Sequence, residues 1–145
     1  GQVDKLLLDK LDKINYYDSQ MPKSLGKECV NQHFIPILIK SNKNNNDILA
    51  TCVEHIAIKI SNALSEFDIS KALFTGGGVF NQYLVDRILH HTKTKIIIPN
   101  EDLVNFKEAI VFGFLGFLRV LGEHNCLSSA TGAICDHSSG DIYMT

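Results

Sequence analysis

Several features that define large protein classes are missing from this 145-residue chain. No apolar run approaches the roughly 20 residues that a membrane-spanning helix needs, and the first residues lack a basic-then-apolar signal layout. The formal net charge is only −2, so no basic excess exists to hold a nucleic-acid backbone by counterion release. We therefore expect a cytoplasmic protein that binds neither nucleic acid nor membrane.

Cysteine and histidine are present but scattered. None of the cysteines forms a C-x-x-C pair, which predicts free thiols in a reducing compartment instead of a structural zinc or redox site. The adjacent His90 and His91 would point about 100° apart on a helix, so they favour a solvated helix end over a shared metal. We predict no metal ligand in this chain. The four cysteines are Cys29, Cys52, Cys126 and Cys135.

Catalytic motifs are absent as well. There is no Ser-His-Asp order, no close carboxylate pair and no metal-binding helix motif, so the chain offers no obvious catalytic residue. Its hydrophobic fraction of 45% and charged fraction of 21% are ordinary for a globular protein. The length fits one domain, or one lobe of a larger protein.

Hydrophobic periodicity predicts a helix-rich first half. We expect an amphipathic helix over 3–14, a loop over 15–22, a second helix from 26 to 35 interrupted at Pro36, and a mobile polar loop over 41–46. Asp47 or Asn46 is then expected to cap the clearest helix of the chain. The face of that helix predicted to be buried comprises Leu49, Cys52, Val53, Ile56, Ile60 and Leu64.

Two short apolar runs, near 71–75 and 95–98, are typical of strands, and the first is expected to be buried. Because helical spacing over 80–91 separates them, we predict a parallel β-α-β unit with a right-handed crossover. A sheet usually has five or six strands, so two indicate that strands are missing from this chain. An exposed sheet edge and apolar helix faces should then promote self-association.

The last third is predicted to contain a loop at Glu101-Asp102 and a strongly apolar helix over 106–121. Within that helix Gly113 and Gly116 are costly unless a neighbouring element approaches closely. The Ser- and Gly-rich stretch 125–145 is predicted to be an irregular tail, as a terminal hairpin or a loop.

Gly76, Gly77 and Gly78 lie between the first strand and a helix. Without side chains there, backbone amides and the positive helix end can accept a phosphate or nucleotide. The spacing matches neither G-x-G-x-x-G nor G-x-x-x-x-G-K-[ST], and three glycines can equally form a plain tight turn. Asn81 has the same two interpretations, since it can cap the helix or reach a ligand hydroxyl.

The segment 23–28 offers a cation and a hydroxyl before a helix start. Lys23 and Ser24 can contact a sugar or a phosphate. The competing interpretation is ordinary helix-start chemistry with Ser24 as the cap.

Taken in order, several segments resemble the C-terminal portion of anhydro-N-acetylmuramic acid kinases, a family of the actin-like and sugar-kinase superfamily. The resemblance spans nearly the whole chain. It is carried by the Gly-x-Val-Asp opening, Met21-Pro22-Lys23-Ser24-Leu25-Gly26-Lys27-Glu28, Gly76-Gly77-Gly78-Val79-Phe80-Asn81, Lys107-Glu108-Ala109-Ile110-Val111-Phe112, Thr131-Gly132-Ala133 and Gly140-Asp141-Ile142-Tyr143.

This resemblance implies an α/β fold, the helix-rich C-terminal part of an actin-like (ribonuclease H-like) ATPase domain. It makes 1–145 a single domain and one lobe of a two-lobe kinase that binds ATP with Mg between its lobes. The implied reaction transfers phosphate to O6 of 1,6-anhydro-N-acetylmuramic acid while water opens the anhydro bridge. The product, N-acetylmuramic acid 6-phosphate, belongs to cell-wall recycling.

The resemblance also assigns sites. Gly76, Gly77, Gly78 and Asn81 should approach the nucleotide. Lys23, Ser24 and Gly26 should lie near the interlobe cleft, in a role that the motif does not define.

The family's catalytic aspartate and its Gly-Thr-Ser phosphate motif belong to sequence upstream of this segment. We therefore expect the chain alone to be inactive without its missing N-terminal lobe, and a homo-oligomer is possible. Phe80 and Gln82 depart from the family pattern, where a small or polar residue and a proline are frequent, so base or ribose contacts can differ. The alternative is a non-catalytic pseudo-kinase or interaction module, and an unrelated dinucleotide-binding domain would instead bind NAD or flavin.

Overall fold

The structure is a computed structural model that describes residues 1–20 and 23–143. The predicted break at Met21-Pro22 lies outside the described residues. The described part is helix-rich with one small sheet. Its α-helices are α1 (Lys5–Asp12), α2 (Lys27–Cys29), α3 (Ile35–Lys40), α4 (Asn45–Glu66), α5 (Gln82–His91), α6 (Glu101–Leu121) and α7 (Ser128–Thr131), and its strands are β1 (Lys71–Leu73) and β2 (Lys95–Ile97).

The chain divides into two compact units. The first unit comprises Gly1–Phe74 and Gly78–Ile97, and the second comprises Thr75–Gly77 and the chain from Ile98 onward. None of the described helices is long and apolar enough to span a membrane.

The core of the first unit forms on α1. Asp4 caps this helix, since its Oδ1 accepts a hydrogen bond of 2.8 Å from the Leu7 amide. Leu7, Leu11 and Ile14 are buried at helical spacing, which confirms the predicted amphipathic helix. The partly buried side chains packed on them are Tyr16, Tyr17, Phe34, Ile37, Leu38 and Ile48.

The predicted interruption at Pro36 is wrong, because a π-helical turn over Val30–Phe34 carries the helix past the proline into α3. In this turn the Ile35 amide donates to the Val30 carbonyl, five residues back. A wider turn relieves the clash between the proline ring and the preceding turn, which would break a regular α-helix. The stretch 37–39 after the proline is therefore helical.

The start of α4 also differs from the prediction. Asn44 is the cap, with its Oδ1 accepting from the Asp47 amide at 2.9 Å. Neither Asp47 nor Asn46 has that role, because both already lie in the first helical turn. The polar loop predicted over 41–46 thus ends at Asn44, and its mobility stays a prediction.

The predicted buried face of α4 is only partly buried, since Cys52, Val53, Ile60 and Leu64 are half-buried and the other two residues are exposed. Leu49 is 63% exposed and Ile56 is 44% exposed. The opposite side of the helix packs instead, because α1 and α5 hold it through polar contacts: the Asp4 amide donates to Thr51 Oγ1 at 2.9 Å, for example. The buried residues of α4 are Ala50, Thr51, Glu54, His55, Ala57 and Ser61.

The two strands pair in parallel, with Lys71 opposite Lys95 and Leu73 opposite Ile97. Together with α5 between them they confirm the predicted β-α-β unit, although each strand has only three residues. The expectation that the first strand is buried is wrong for this chain, since Leu73 is 59% exposed. With two described strands, the sheet leaves both edges unpaired by other described strands.

In the second unit, α6 begins earlier than predicted. Asn100 caps it, since its Oδ1 accepts from the Leu103 amide at 3.0 Å. Glu101 and Asp102 lie in the first turn, where negative charge complements the helix dipole, so the predicted loop there is wrong. The helix ends at Gly122, whose φ of +76° is the left-handed conformation that glycine adopts readily.

The close approach predicted at Gly113 and Gly116 is not made by any described residue. A Cβ at either position would meet no heavy atom of the described chain within 4 Å. After α6, the chain forms a closed loop around α7, with an antiparallel bridge between Cys126 and His137. The predicted irregular tail is therefore partly ordered, and all four cysteines are free, as predicted.

Candidate functional site

The glycine run forms an open turn between β1 and α5. Gly76 has a φ of +86°, the left-handed region that a side chain disfavours. A Cβ placed on Gly76, Gly77 or Gly78 would meet no heavy atom of the described chain within 4 Å. Only Gly76 is thus required by backbone conformation, and at the other two glycines the backbone is left accessible.

Asn81 connects this turn to α5. Its Oδ1 accepts from the Leu84 amide at 3.1 Å, and its own amide donates to the Gly78 carbonyl at 3.1 Å, within a 3₁₀ turn over Gly77–Phe80. The capping interpretation of Asn81 is therefore confirmed. The Oδ1 atom is used by the cap, whereas Nδ2 donates no hydrogen bond to the described residues. The contact between Asn81 and a ligand hydroxyl, which stays a prediction, would therefore be made by Nδ2.

Lys23 is engaged within its own segment. Its Nζ donates to the carbonyls of Tyr17 at 2.9 Å and Tyr16 at 3.4 Å, and it lies 5.2 Å from the centre of the Tyr16 ring. An ammonium has three donors, so these contacts leave one free. The structure therefore gives Lys23 a role in holding the turn at 15–18, while its predicted cleft role stays a prediction.

Ser24 is not the helix cap that residue content favoured. Gly26 is the N-cap of α2, with extended backbone and no side-chain hydrogen bond, and the Val30 amide donates to the Gly26 carbonyl at 3.2 Å. The capping interpretation of Ser24 is wrong because the helix begins one residue after Gly26. Ser24 is exposed, and its cleft role, like that of Gly26, stays a prediction.

Sequence reasoning missed a buried charge cluster between α4 and α5. Glu54 is 6% exposed, and its Oε1 accepts from Arg87 Nη2 at 2.8 Å while its Oε2 accepts from Arg87 Nε. His90 and His91 are both exposed at the end of α5, as predicted, but His91 Nε2 also lies 2.8 Å from Glu54 Oε1 and so joins this cluster. The available signal was a carboxylate in the middle of a largely apolar helix, which needs a partner if it is buried, but nothing near it in sequence identifies Arg87 as that partner.

The pKa shifts in this cluster favour the charged forms of both Glu54 and Arg87. Hydrogen bonds from Arg87, opposed by burial, lower the pKa of Glu54 from its ordinary 4.5 to about 2. The same carboxylate raises the pKa of the Arg87 guanidinium above its ordinary value. The pair is therefore ionised across the physiological range, so it is a structural ion pair and not an acid-base catalyst.

A second polar group, His55, is buried in an aromatic pocket of the first unit. Tyr17 and Phe34 contact its ring edge-on, with centroids 5.3 and 6.2 Å away, and burial lowers the pKa of His55. Its Nε2 lies 3.3 Å from Asp12 Oδ1 without the geometry of a hydrogen bond. Burial likewise raises the pKa of Tyr17 to about 12. These shifts come from packing, and His55 is the core histidine of this unit.

The largest cavity described here lies within the second unit, with a volume of about 540 Å³. Its wall is apolar along α6, and its shape is fixed by Asn125, which donates to the carbonyls of Leu115 and Ser139, and by Arg119, which donates to Gly140. Two smaller cavities, of about 260 and 310 Å³, lie in the first unit. The residues that line these three cavities do not include the glycine turn.

No described group of three or more His, Cys, Asp or Glu side chains could hold a metal ion. The candidate site described here, backbone at the glycine turn together with the Asn81 side-chain amide, stays a prediction.

Comparison with known proteins identifies the family. The family model described as anhydro-N-acetylmuramic acid kinase matches residues 1–145. Relatives named anhydro-N-acetylmuramic acid kinase include one from Sulfurovum sp. (strain NBC37-1), 30% identical over 99% of this chain and 41% of the relative. Another, from gamma-proteobacterium EBAC31A08, is 35% identical over 85% of this chain and 35% of its own length.

A third, from Streptomyces coelicolor, is 31% identical over 92% of the chain and 35% of the relative. The chain spans about two-fifths of the length of the curated relatives that it matches. The family model matches all 145 residues of the chain, which is sufficient to assign the chain to this family. The chain belongs to the anhydro-N-acetylmuramic acid kinase family.

Proposed function

We propose that this chain is the nucleotide-binding C-terminal lobe of an ATP-dependent sugar kinase with an actin-like fold. The observation that carries the proposal is the open glycine turn, which follows a parallel strand and leads into α5 in a chain that the family model covers from end to end. In open α/β sheets, ligands bind beyond the carboxyl ends of the strands. Gly76, Gly77, Gly78 and Asn81 are the proposed nucleotide contacts.

The proposed reaction is that of the family. ATP with Mg donates its phosphate to O6 of 1,6-anhydro-N-acetylmuramic acid, water opens the anhydro ring, and N-acetylmuramic acid 6-phosphate enters cell-wall recycling in the cytoplasm. Backbone amides at the turn and the positive end of α5 suit the negative charge of a polyphosphate. Lys23, Ser24 and Gly26 are proposed to lie near the cleft where the sugar binds.

Phosphoryl transfer depends on positioning and on electrostatic stabilisation by groups on both sides of a cleft. This chain supplies no described carboxylate cluster for Mg, so the catalytic aspartate and the metal site are assigned to the missing N-terminal lobe. The isolated 145 residues should therefore show negligible kinase activity. Turnover of the anhydro sugar by the purified chain would contradict the assignment of the catalytic groups to the N-terminal lobe.

The deciding experiment is calorimetric titration of the full-length protein with ATP-Mg and the anhydro sugar, with a blocked glycine turn as the test variant. Gly77→Leu places a side chain where no described atom lies within 4 Å, so the fold should persist while ATP affinity falls. Gly113→Leu is the matched control, since it also enters open space but lies in α6.

Equal ATP affinity in the wild type and both variants would reject the glycine turn as the nucleotide site. ATP binding without sugar phosphorylation by the full-length protein would favour the non-catalytic module. The upstream coding sequence also distinguishes the kinase from the non-catalytic module. A Gly-Thr-Ser motif followed by a cleft aspartate is expected for the kinase.

A further inference from the structure

The attachment of α5 to α4 has two chemically different parts. Val85 and Ile88 are buried on one face of α5, and Ser61 Oγ of α4 donates to the Ile88 carbonyl at 3.4 Å. Apolar burial is non-directional and stabilises any arrangement that removes the same area from water. The apolar contacts leave the position of α5 along and around its axis loosely defined, and the hydrogen bond from Ser61, at 3.4 Å, adds one weak directional constraint.

The ion pair between Glu54 and Arg87 supplies the missing direction. The guanidinium donates through Nε and Nη2 to the two carboxylate oxygens, a two-point contact that is satisfied in one relative orientation. The Glu54 side chain is 8% exposed. The Arg87 side chain is 28% exposed, so the pair is buried on the Glu54 side only. Desolvation of the carboxylate offsets part of the attraction, and such pairs can contribute conformational specificity as well as stability.

The position of α5 determines where the proposed nucleotide contacts lie. Asn81 is the first-turn cap of α5, and its amide is hydrogen-bonded to the Gly78 carbonyl. The helix has only ten residues, so a shift at Arg87 is transmitted along a rigid rod to its capped end. Gly78, Asn81 and the ion pair all lie within the first unit.

We propose that Glu54 and Arg87 are positioning residues that set the register of α5, and through it the placement of Gly78 and Asn81 for the nucleotide. Neither side chain contacts the nucleotide in this proposal. The inference rests on the proposed ATP site, and it assigns a specific purpose to a charge pair that the family assignment leaves unexplained.

The test uses the full-length protein with the variant Arg87→Lys, which keeps the charge but lacks the planar fork. The dissociation constant for ATP should rise about tenfold, as expected when a binding group is displaced by a fraction of an ångström, while kcat changes little. Independently of ATP, amide hydrogen exchange at Leu84 and Val85, which donate to Asn81, should become faster.

A double variant separates positioning from stability. Glu54→Met with Arg87→Met replaces the pair by apolar groups of similar length, a change that often preserves stability. The unfolding midpoint of the double variant should return toward the wild-type value. Its ATP affinity should stay low, and amide exchange at Leu84 should stay faster than in the wild type.

Thr51→Val is the matched control on α4. It removes the hydrogen bond that Thr51 Oγ1 accepts from the Asp4 amide at the start of α1 and the one that it donates to the Asp47 carbonyl within α4, and neither involves α5. ATP affinity and exchange at Leu84 should stay at wild-type values. A double variant with wild-type ATP affinity, or unchanged exchange at Leu84 in Arg87→Lys, would overturn the positioning role. If the wild-type protein does not bind ATP, the proposed nucleotide site is rejected. Amide exchange at Leu84 would still show whether the ion pair sets the position of α5.

Discussion

Helices α4 and α6 are nearly equal in length, at 22 and 21 residues, but they use their apolar residues in opposite ways. In α4 the buried side includes Glu54, His55 and Ser61, held by partners on α1 and α5. In α6 Val104 is the single buried residue among those described, and Phe112 is 70% exposed. Apolar content alone therefore does not tell which helix, or which face of it, will be packed.

What maintains each helix differs accordingly. Most helical stability in proteins comes from packing, and α4 has it from two neighbours. For α6 the described contacts are mainly local: the Asn100 cap, acidic residues in the first turn and Gly122 at the end. Substitutions in the two regions should thus have different consequences.

The largest expected difference comes from truncating an apolar side chain in each region. Leu11 is 1% exposed, so Leu11→Ala leaves a cavity beneath α4 and should cost about 3–4 kcal/mol of the free energy of unfolding. Phe112→Ala removes a larger but exposed side chain and should change it by less than about 0.5 kcal/mol. Urea unfolding of both variants measures the contrast. Equal losses would show that Phe112 is covered in solution, for instance by a second copy of the chain.

An intermediate effect is expected from acid. The pKa of Glu54 is lowered in the folded state, from 4.5 to about 2, so its contribution is fully present above about pH 4.5 and is lost as the pH falls toward 2. A lowering of this size corresponds to about 3 kcal/mol of stability lost when Glu54 is protonated, which is distinct from the net worth of the pair relative to two apolar side chains. Glu54→Gln should lower the melting temperature at pH 7, and its difference from wild type should shrink between pH 4.5 and 2. A constant difference across that range would contradict the assignment.

The smallest effect distinguishes the caps of α5 and α6. Asn81→Ala should lower the free energy of unfolding by about 1 kcal/mol, whereas Asn81→Asp retains the accepting oxygen and should cost much less. The matched change Asn100→Ala should appear chiefly as lost helicity in circular dichroism, because α6 buries so little in the described chain. Equal shifts in unfolding midpoint for both alanine variants would show that α6 is as well packed as α5.

Local patterns predicted much of the fold. The spacing of Leu7, Leu11 and Ile14 identified α1 and its buried face, and two short apolar runs around a helical segment identified the parallel strands. Such patterns depend on neighbours in sequence, which is why they can be read without tertiary contacts.

The errors arose where tertiary contacts override those patterns. The buried face of α4 is selected by partners such as Arg87, which lies 33 residues from Glu54 and has no local signature. At the candidate site, the glycine turn and the Asn81 cap followed from sequence, but the capping prediction for Ser24 did not hold, because Gly26 can begin a helix without a side-chain bond. Electrostatic partners and exact helix starts are the parts that sequence spacing leaves open.

The π-helical turn over Val30–Phe34 has a consequence for how this segment can vary among relatives. It holds about one more residue than an α-helical turn, so deleting a single residue there would leave a regular α-helical turn and keep α3 in nearly the same orientation. Ile37 and Leu38 would then stay in the core around Leu7 and Leu11, but the Pro36 ring would clash with the preceding turn. Related chains that lack a proline at this position should therefore tolerate a one-residue deletion in this window, and Pro36 should occur together with the wide turn that precedes it.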